Sequence, residues 1–191
     1  MVEESSRKMN YRWTTKDIMV TAIISVAMGF IFIPISYLNG YTASFPLILA
    51  ATQGICFFPT LMIIYLIRKP GVALFSTSVC MLITVPLTPW GLAMLLDILT
   101  IGVPLEIIFL VTRYKNFKLW YMMLAGVITS GLQAVLCFVM YGMGNMTILL
   151  QIIFFIEALI SGALLGGLVA KLIGDVIFKT GVISKGSENV D

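Results

Sequence analysis

The sequence predicts an all-α integral membrane protein: a six-transmembrane-helix bundle with both termini in the cytoplasm. Three observations carry this. Of 191 residues, 60% are hydrophobic and 11% charged, which leaves too little polar surface for a soluble domain. Six apolar segments follow one another, at about 17–38, 45–67, 71–87, 90–112, 119–141 and 147–178, each near the roughly 20 residues that cross a bilayer as a helix. The 12 basic residues all sit near the termini or in alternate connections, and by the positive-inside rule those parts are cytoplasmic. Arg7, Lys8, Arg12 and Lys16 precede the first span. Arg68 and Lys69 separate the second and third; Arg113, Lys115 and Lys118 separate the fourth and fifth. Lys171, Lys179 and Lys185 lie at the C-terminal end. The connections near 39–44, 87–89 and 142–146 carry none. The reading gives one transmembrane domain over 1–182, opening with a cytoplasmic segment at 1–16, and a disordered cytoplasmic tail at 183–191.

Span one has no apolar stretch before Ile18 and no clear cleavage site after it, so it reads as a retained helix rather than a signal peptide. Thr21, Ala22, Ser25 and Gly29 place small residues at helical spacing, and such a stripe admits a close neighbour. Either it packs within the bundle, or Ala22, Ser25 and Gly29 dock a separate membrane partner. Pro34 loosens the outer end of the span. Tyr37, Asn39 and Tyr41 follow, as a flap over a pocket or as part of an interfacial aromatic belt. Span two holds Gln53 and Pro59; an intramembrane glutamine either bonds a neighbouring helix or touches a ligand. Arg68-Lys69-Pro70-Gly71 then makes a turn. Span three is short and uncharged, and its hydroxyls at Ser76, Thr77, Ser78 and Thr84 can bond their own helix.

Span four carries the chemistry. It is apolar enough to cross a bilayer yet holds Asp97 and Glu106. A charge near the bilayer centre costs roughly 2.5–3.5 kcal/mol on the insertion scale. Trp90 and Asp97 are seven apart and share a helical stripe with Met94 between them and Ile101 below. Glu106 falls on the opposite side of an unbroken helix, but Gly102 and Pro104 predict a kink that re-aims it. Span five contains Gln133. Span six is long, tilted or extended beyond the membrane. It carries Gln151 and Glu157 in its outer half, then Gly162 and Gly166 in the spacing of close helix packing. Asp175, near the cytoplasmic end, is placed to pair with Lys171 or Lys179.

The outer half thus holds Asp97 and Glu157 with no lysine or arginine. Buried charges need partners. Either the two carboxylates face a cavity that takes a small, flat cation, with Trp90, Tyr37 and Tyr41 adding aromatic faces, or they are protonated or bonded to Gln133 or Gln151. Candidate ligand contacts are therefore Trp90, Asp97, Glu106, Glu157, Gln151, Tyr37, Asn39, Tyr41 and Gln53. No histidine is present, and Cys56, Cys80 and Cys137 form no CxxC and read as packing residues, so no metal site or cofactor is expected. Neither catalytic motifs nor a phosphate-binding glycine loop occur. The chain is read as a non-enzyme without a nucleic-acid partner, surrounded by lipid.

Several short motifs in order resemble one family. Trp13 with Lys16-Asp17 opens span one, followed by Ala22, Ser25 and Gly29. Gly54 and Pro59 lead into Arg68-Lys69-Pro70-Gly71. Pro89-Trp90-Gly91 starts span four, where Gly102, Glu106 and Phe109 precede Arg113-Tyr114. Lys179-Thr180-Gly181-Val182 closes the pattern. Together they are similar to the substrate-binding S components of energy-coupling-factor vitamin transporters, in the YkoE-like group linked to thiamine and its hydroxymethylpyrimidine precursor. Thr77, Thr84 and Ile101 depart from that pattern, standing where it often has carboxylates and a glutamine. The resemblance implies a six-helix bundle with an outward-facing cavity. It also implies a vitamin-like substrate, a membrane-embedded coupling T component docked on the small face of span one, and cytoplasmic ATPase subunits. The alternatives are an autonomous ion-coupled carrier, with Glu106 or Glu157 as proton site, and a scaffold whose acidic residues only fix packing.

Overall fold

A computed structural model describes residues 13–42, 44–140 and 142–179. The expected tail at 183–191, the closing 180–182, and Arg7, Lys8, Arg12 and Lys185 lie outside the described residues. The described chain is helical, with no strand among its residues. Five helical stretches are long and apolar enough to cross a membrane: Thr15–Thr42, Pro46–Ile67, Gly91–Val111, Leu119–Met140 and Ile148–Lys179; a shorter one runs Val72–Leu87. These are the six expected spans. Large apolar side chains such as Met19, Phe30, Leu92, Val111 and Ile148 stand exposed on the outside, the surface that lipid rather than water covers.

Helix α1 (Thr15–Thr42) runs through Pro34 and four residues past its expected end. Its inner stripe, Thr21, Ser25 and Gly29, is buried. Ser25 Oγ donates to Thr21 O at 2.7 Å and Thr21 Oγ1 to Asp17 O at 2.7 Å, so both hydroxyls are satisfied within the helix. A Cβ on Gly29 would lie 3.5 Å from Cys80 O and Ile83. The stripe expected to dock a partner therefore faces the bundle: Ser25 and Gly29 let α1 approach α3 (Val72–Thr84), and Ala22 sits half-buried at its edge.

Helix α2 (Pro46–Ile67) is the central post, buried without a break from Pro59 to Ile67. It ends at Arg68, whose left-handed φ of 56° lets its N–H reach Ile64 O, a capping geometry that satisfies an orphan carbonyl. The guanidinium lies 4.6 Å from the Phe117 ring centroid and 4.9 Å from that of Tyr65. Burial pulls its pKa below the ordinary arginine value, opposed by Tyr65 and Asp175. Around it Phe109 stacks on Phe117 and meets Tyr121 edge-on, at centroid distances of 5.4 and 5.6 Å.

Helices α5 (Leu119–Met140) and α6 (Ile148–Ser161) pack closely. After α6 the chain widens into π-helical turns over Gly162–Leu168, where Val169 N–H reaches five residues back to Leu164 O, and continues as α7 (Val169–Lys179). Glycine is required here: a Cβ on Gly162 would strike Gly126 O and Ser130, and one on Gly167 would strike the Met122 carbonyl. The GxxxG spacing thus marks helix contact, as expected. Asp175 accepts from Lys171 Nζ at 3.3 Å and from the Tyr65 hydroxyl.

Candidate binding cavity

Four elements leave a cavity of about 130 Å³ between them. Helix α1 supplies Phe32, Ser36 and Asn39, spaced four and three apart and so on one stripe. Tyr37 and Tyr41 lie on another stripe of the same helix. They are 47% and 78% exposed and face away from the cavity. Helix α2 supplies Leu49, Gln53 and Cys56, and α5 supplies Gln133, Leu136, Cys137 and Met140.

The fourth wall is Trp90, Ala93, Met94, Leu96 and Asp97. It is not α-helical. Gly91 adopts φ 53°, and the chain makes a tight 3₁₀ run over Gly91–Leu95 before opening into π turns over Ile98–Gly102, with Val103 N–H bonded to Ile98 O. Met94, within that run, and Asp97, just beyond it, both line the cavity. Ile101 lies below them, fully buried. Only beyond Gly102 does α4 (Val103–Val111) begin, with Pro104 in its first turn, where a missing N–H breaks no helical bond. The expected kink is this change of helix type, upstream of the proline.

Asp97 is 8% exposed. The Gln133 amide donates to its Oδ1 at 3.0 Å, and Thr100 Oγ1 donates to Gln133 Oε1 at 2.7 Å. No lysine or arginine lines the cavity. Opposite, Gln53 donates through Nε2 to Cys137 Sγ at 3.7 Å, and its Oε1 has no partner. Ser36 Oγ, also buried in the lining, has none either among the described residues. Asn39 donates to Cys56 Sγ at 3.0 Å and accepts from Thr52 Oγ1 at 3.1 Å. The Trp90 indole closes one side, its N–H 3.4 Å from Ser36 O. An unpaired buried acceptor costs about 1–3 kcal/mol, so a ligand with N–H donors or a positive charge fits what this wall lacks.

Of the residues singled out from the sequence, the structure brings Trp90, Asp97, Asn39 and Gln53 to the cavity. It places Glu106, Glu157, Gln151, Tyr37 and Tyr41 elsewhere. Glu106 is buried at the far end of the bundle and caps α3: Gly71 N–H donates to Oε1 at 2.6 Å and Ala73 N–H to Oε2 at 3.1 Å. There it meets both the orphan donors and the positive end of a helix. Glu157 is half-buried on α6, which lines none of the cavity. Gln151 donates to the carbonyls of Gly144 and Met146, tying down the preceding turn. Ser36, Cys56, Thr100 and Cys137 carry no site assignment in the sequence reading, and Gln133 enters it only as a bonding partner for Asp97, which the 3.0 Å contact matches. The spacing of Ser36 from Asn39 was a usable signal; the facing of α2 and α5 had none in the sequence.

Residues 16–132 match the family described as the permease component of the ABC-type cobalt transport system. The putative HMP/thiamine permease protein YkoE of Bacillus subtilis (strain 168) is 30% identical over 175 residues, covering 90% of this chain and 88% of that one. A crystal structure of an S-component of an ECF transporter superposes with a TM-score of 0.82 at 30% identity, over 90% of this chain and 88% of the other.

Proposed function

The chain belongs to the YkoE-like S components of energy-coupling-factor transporters, and from that premise we propose that it is the substrate-binding membrane subunit of an ATP-driven micronutrient importer, capturing thiamine or a related cationic pyrimidine or thiazole precursor. The observation that carries the reading is Asp97: a buried carboxylate in a Trp90-walled cavity with no basic side chain in the lining. A cationic ring supplies the missing counter-charge and stacks on the indole. The name of the YkoE relative, an HMP/thiamine permease, includes one such cation, thiamine.

The chain carries no nucleotide-binding motif, and on this reading cytoplasmic ATPase subunits and a membrane-embedded T component supply the energy for uptake. The basic residues put both termini and the Lys69 end in the cytoplasm, which opens the Trp90 end outward. Two observations weigh against the rivals. Glu106, one of the two candidate proton sites of an ion-coupled carrier, is held by two backbone N–H groups, and Glu157, the other, lies outside the cavity lining. A scaffold leaves unexplained a cavity that gathers Asp97 with the oxygens of Gln53 and Ser36, which find no partner among the described residues.

Titration of the purified chain with thiamine and with 4-amino-5-hydroxymethyl-2-methylpyrimidine, read by tryptophan fluorescence, tests the site. Saturable binding of either, together with co-purification of ATPase subunits, is expected. Absence of binding to both ligands overturns the substrate, and proton-driven accumulation by the chain alone in vesicles overturns the coupling. Impermeant thiol labelling of whole cells tests the orientation: Ser44→Cys and Gly144→Cys should react, and Lys115→Cys should not.

A further inference from the structure

We propose that Gln133, held by Thr100, is a positioning residue that fixes Asp97 with one carboxylate oxygen turned to the ligand. The inference rests on the cavity being the substrate site. Its basis is a three-member chain of hydrogen bonds with a single polarity. A carboxylate can only accept, so the Gln133 side chain must turn its NH₂ to Asp97 Oδ1, at 3.0 Å. That choice turns Gln133 Oε1 the other way, and the group waiting there, the Thr100 hydroxyl at 2.7 Å, can donate. The amide orientation follows from the chemistry at both of its ends.

The backbone makes the chain possible. Thr100 sits within the π turns of Ile98–Gly102, three residues after Asp97, and wide turns of this kind often occur at functional sites. Its hydroxyl also lies 3.2 Å from Leu96 O, but the Gln133 contact is the shorter. Gln133 comes from α5, across the cavity wall, so the chain ties the irregular segment to a regular helix. Oδ1 accepts from the amide, the Thr100 hydroxyl also lies close to the carboxylate, and Oδ2 is the oxygen a ligand can reach. Held this way, the carboxylate meets the ligand without a search over rotamers, and preorganisation of this kind favours binding.

The test uses the purified full-length chain with thiamine as probe. Thr100→Val keeps the shape and removes the donor; it should weaken thiamine binding about three- to tenfold, the effect of one hydrogen bond acting through another. Thr100→Ser should restore binding to within about twofold of wild type, because the hydroxyl returns. In an Asp97→Asn background, Thr100→Val should change affinity less than about twofold, since coupled residues fail to add. A second readout needs no ligand. The infrared carboxylate band of Asp97, isolated as the wild-type minus Asp97→Asn difference, should shift in Thr100→Val and return in Thr100→Ser. An unshifted band, or a loss of affinity that persists undiminished in the Asp97→Asn background, would make Thr100 and Gln133 packing residues and overturn the proposal. Failure of the wild type to bind thiamine, with the band still shifting as described, would instead overturn the substrate and leave the positioning intact.

Discussion

The two ends of the bundle treat buried carboxylates in opposite ways. At the Lys69 end each meets donors from its own chain. Asp17 is paired with Lys69 and accepts from Thr14 N–H at 2.9 Å. Glu106 takes two backbone N–H groups of the α3 terminus, and the half-buried Asp175 takes Tyr65 and Lys171. At the Trp90 end Asp97 meets the neutral amide of Gln133, and the oxygens of Gln53 and Ser36 beside it lack partners. A carboxylate that the chain itself satisfies holds helices in place. Asp97, with a single amide donor at 3.0 Å, keeps an oxygen with capacity for a ligand. Substitutions should therefore separate cleanly, with stability lost at one end and affinity at the other.

The largest expected effect breaks the pair at the Lys69 end. Lys69→Met leaves Asp17 buried without its counter-ion, and removing one partner of a buried pair costs about 3–5 kcal/mol. Thermal unfolding in detergent should drop sharply, while the folded fraction binds ligand as before. An unchanged unfolding temperature would show that the pair holds nothing. Glu106→Gln comes next. Its amide can offer one oxygen to the α3 terminus, but its NH₂ then faces a backbone N–H. About 2–3 kcal/mol of stability should go, with affinity intact; lost affinity at full stability would return Glu106 to the ligand site that its sequence position suggested. Asp97→Asn should do the reverse. Affinity for thiamine should fall thirtyfold or more, about 2 kcal/mol, at an unchanged unfolding temperature. Wild-type affinity there would remove the cation site.

How far this division was legible differs by element. The spans at 45–67 and 119–141 match α2 and α5 to within a residue, because an apolar run of bilayer length with a basic turn at one end is a strong signal. Trp90 and Asp97 were placed on one stripe by helical spacing, and both line the cavity, although the segment reaches that arrangement through 3₁₀ and π turns. Glu106 looked equivalent to Asp97, since each is a carboxylate in an apolar run. What distinguishes it is the terminus of α3, 35 residues earlier in sequence, and no local pattern encodes that contact. The small stripe on α1 carried two readings because small residues permit close approach by any helix; only the position of α3 decides which helix uses it. The two tyrosines were read with Asn39 as one outer stretch. Continuation of α1 to Thr42 turned them onto a different face.

Trp90 gives the smallest expected effect and sharpens the comparison most, because it asks what kind of ligand the Trp90 end awaits. Its ring is half-buried at the cavity edge, so truncation removes little core packing and should leave unfolding nearly unchanged. Trp90→Ala should cost about 0.5–2 kcal/mol in binding of a cationic ring, roughly two- to thirtyfold. Trp90→Phe keeps an aromatic face but loses the indole N–H that lies 3.4 Å from Ser36 O, and should fall between alanine and wild type. Comparing two ligands separates charge from shape. Thiamine carries a permanent positive charge on its thiazolium ring, whereas the hydroxymethylpyrimidine is neutral near pH 7. If the indole acts on the cation, Trp90→Ala should weaken thiamine more than the pyrimidine. If it stacks on any flat ring, both should weaken alike, and Asp97 alone would read charge. Equal affinity of Trp90→Ala and wild type for both ligands would place the indole outside the contact, with the Trp90 end relying on its acceptors only.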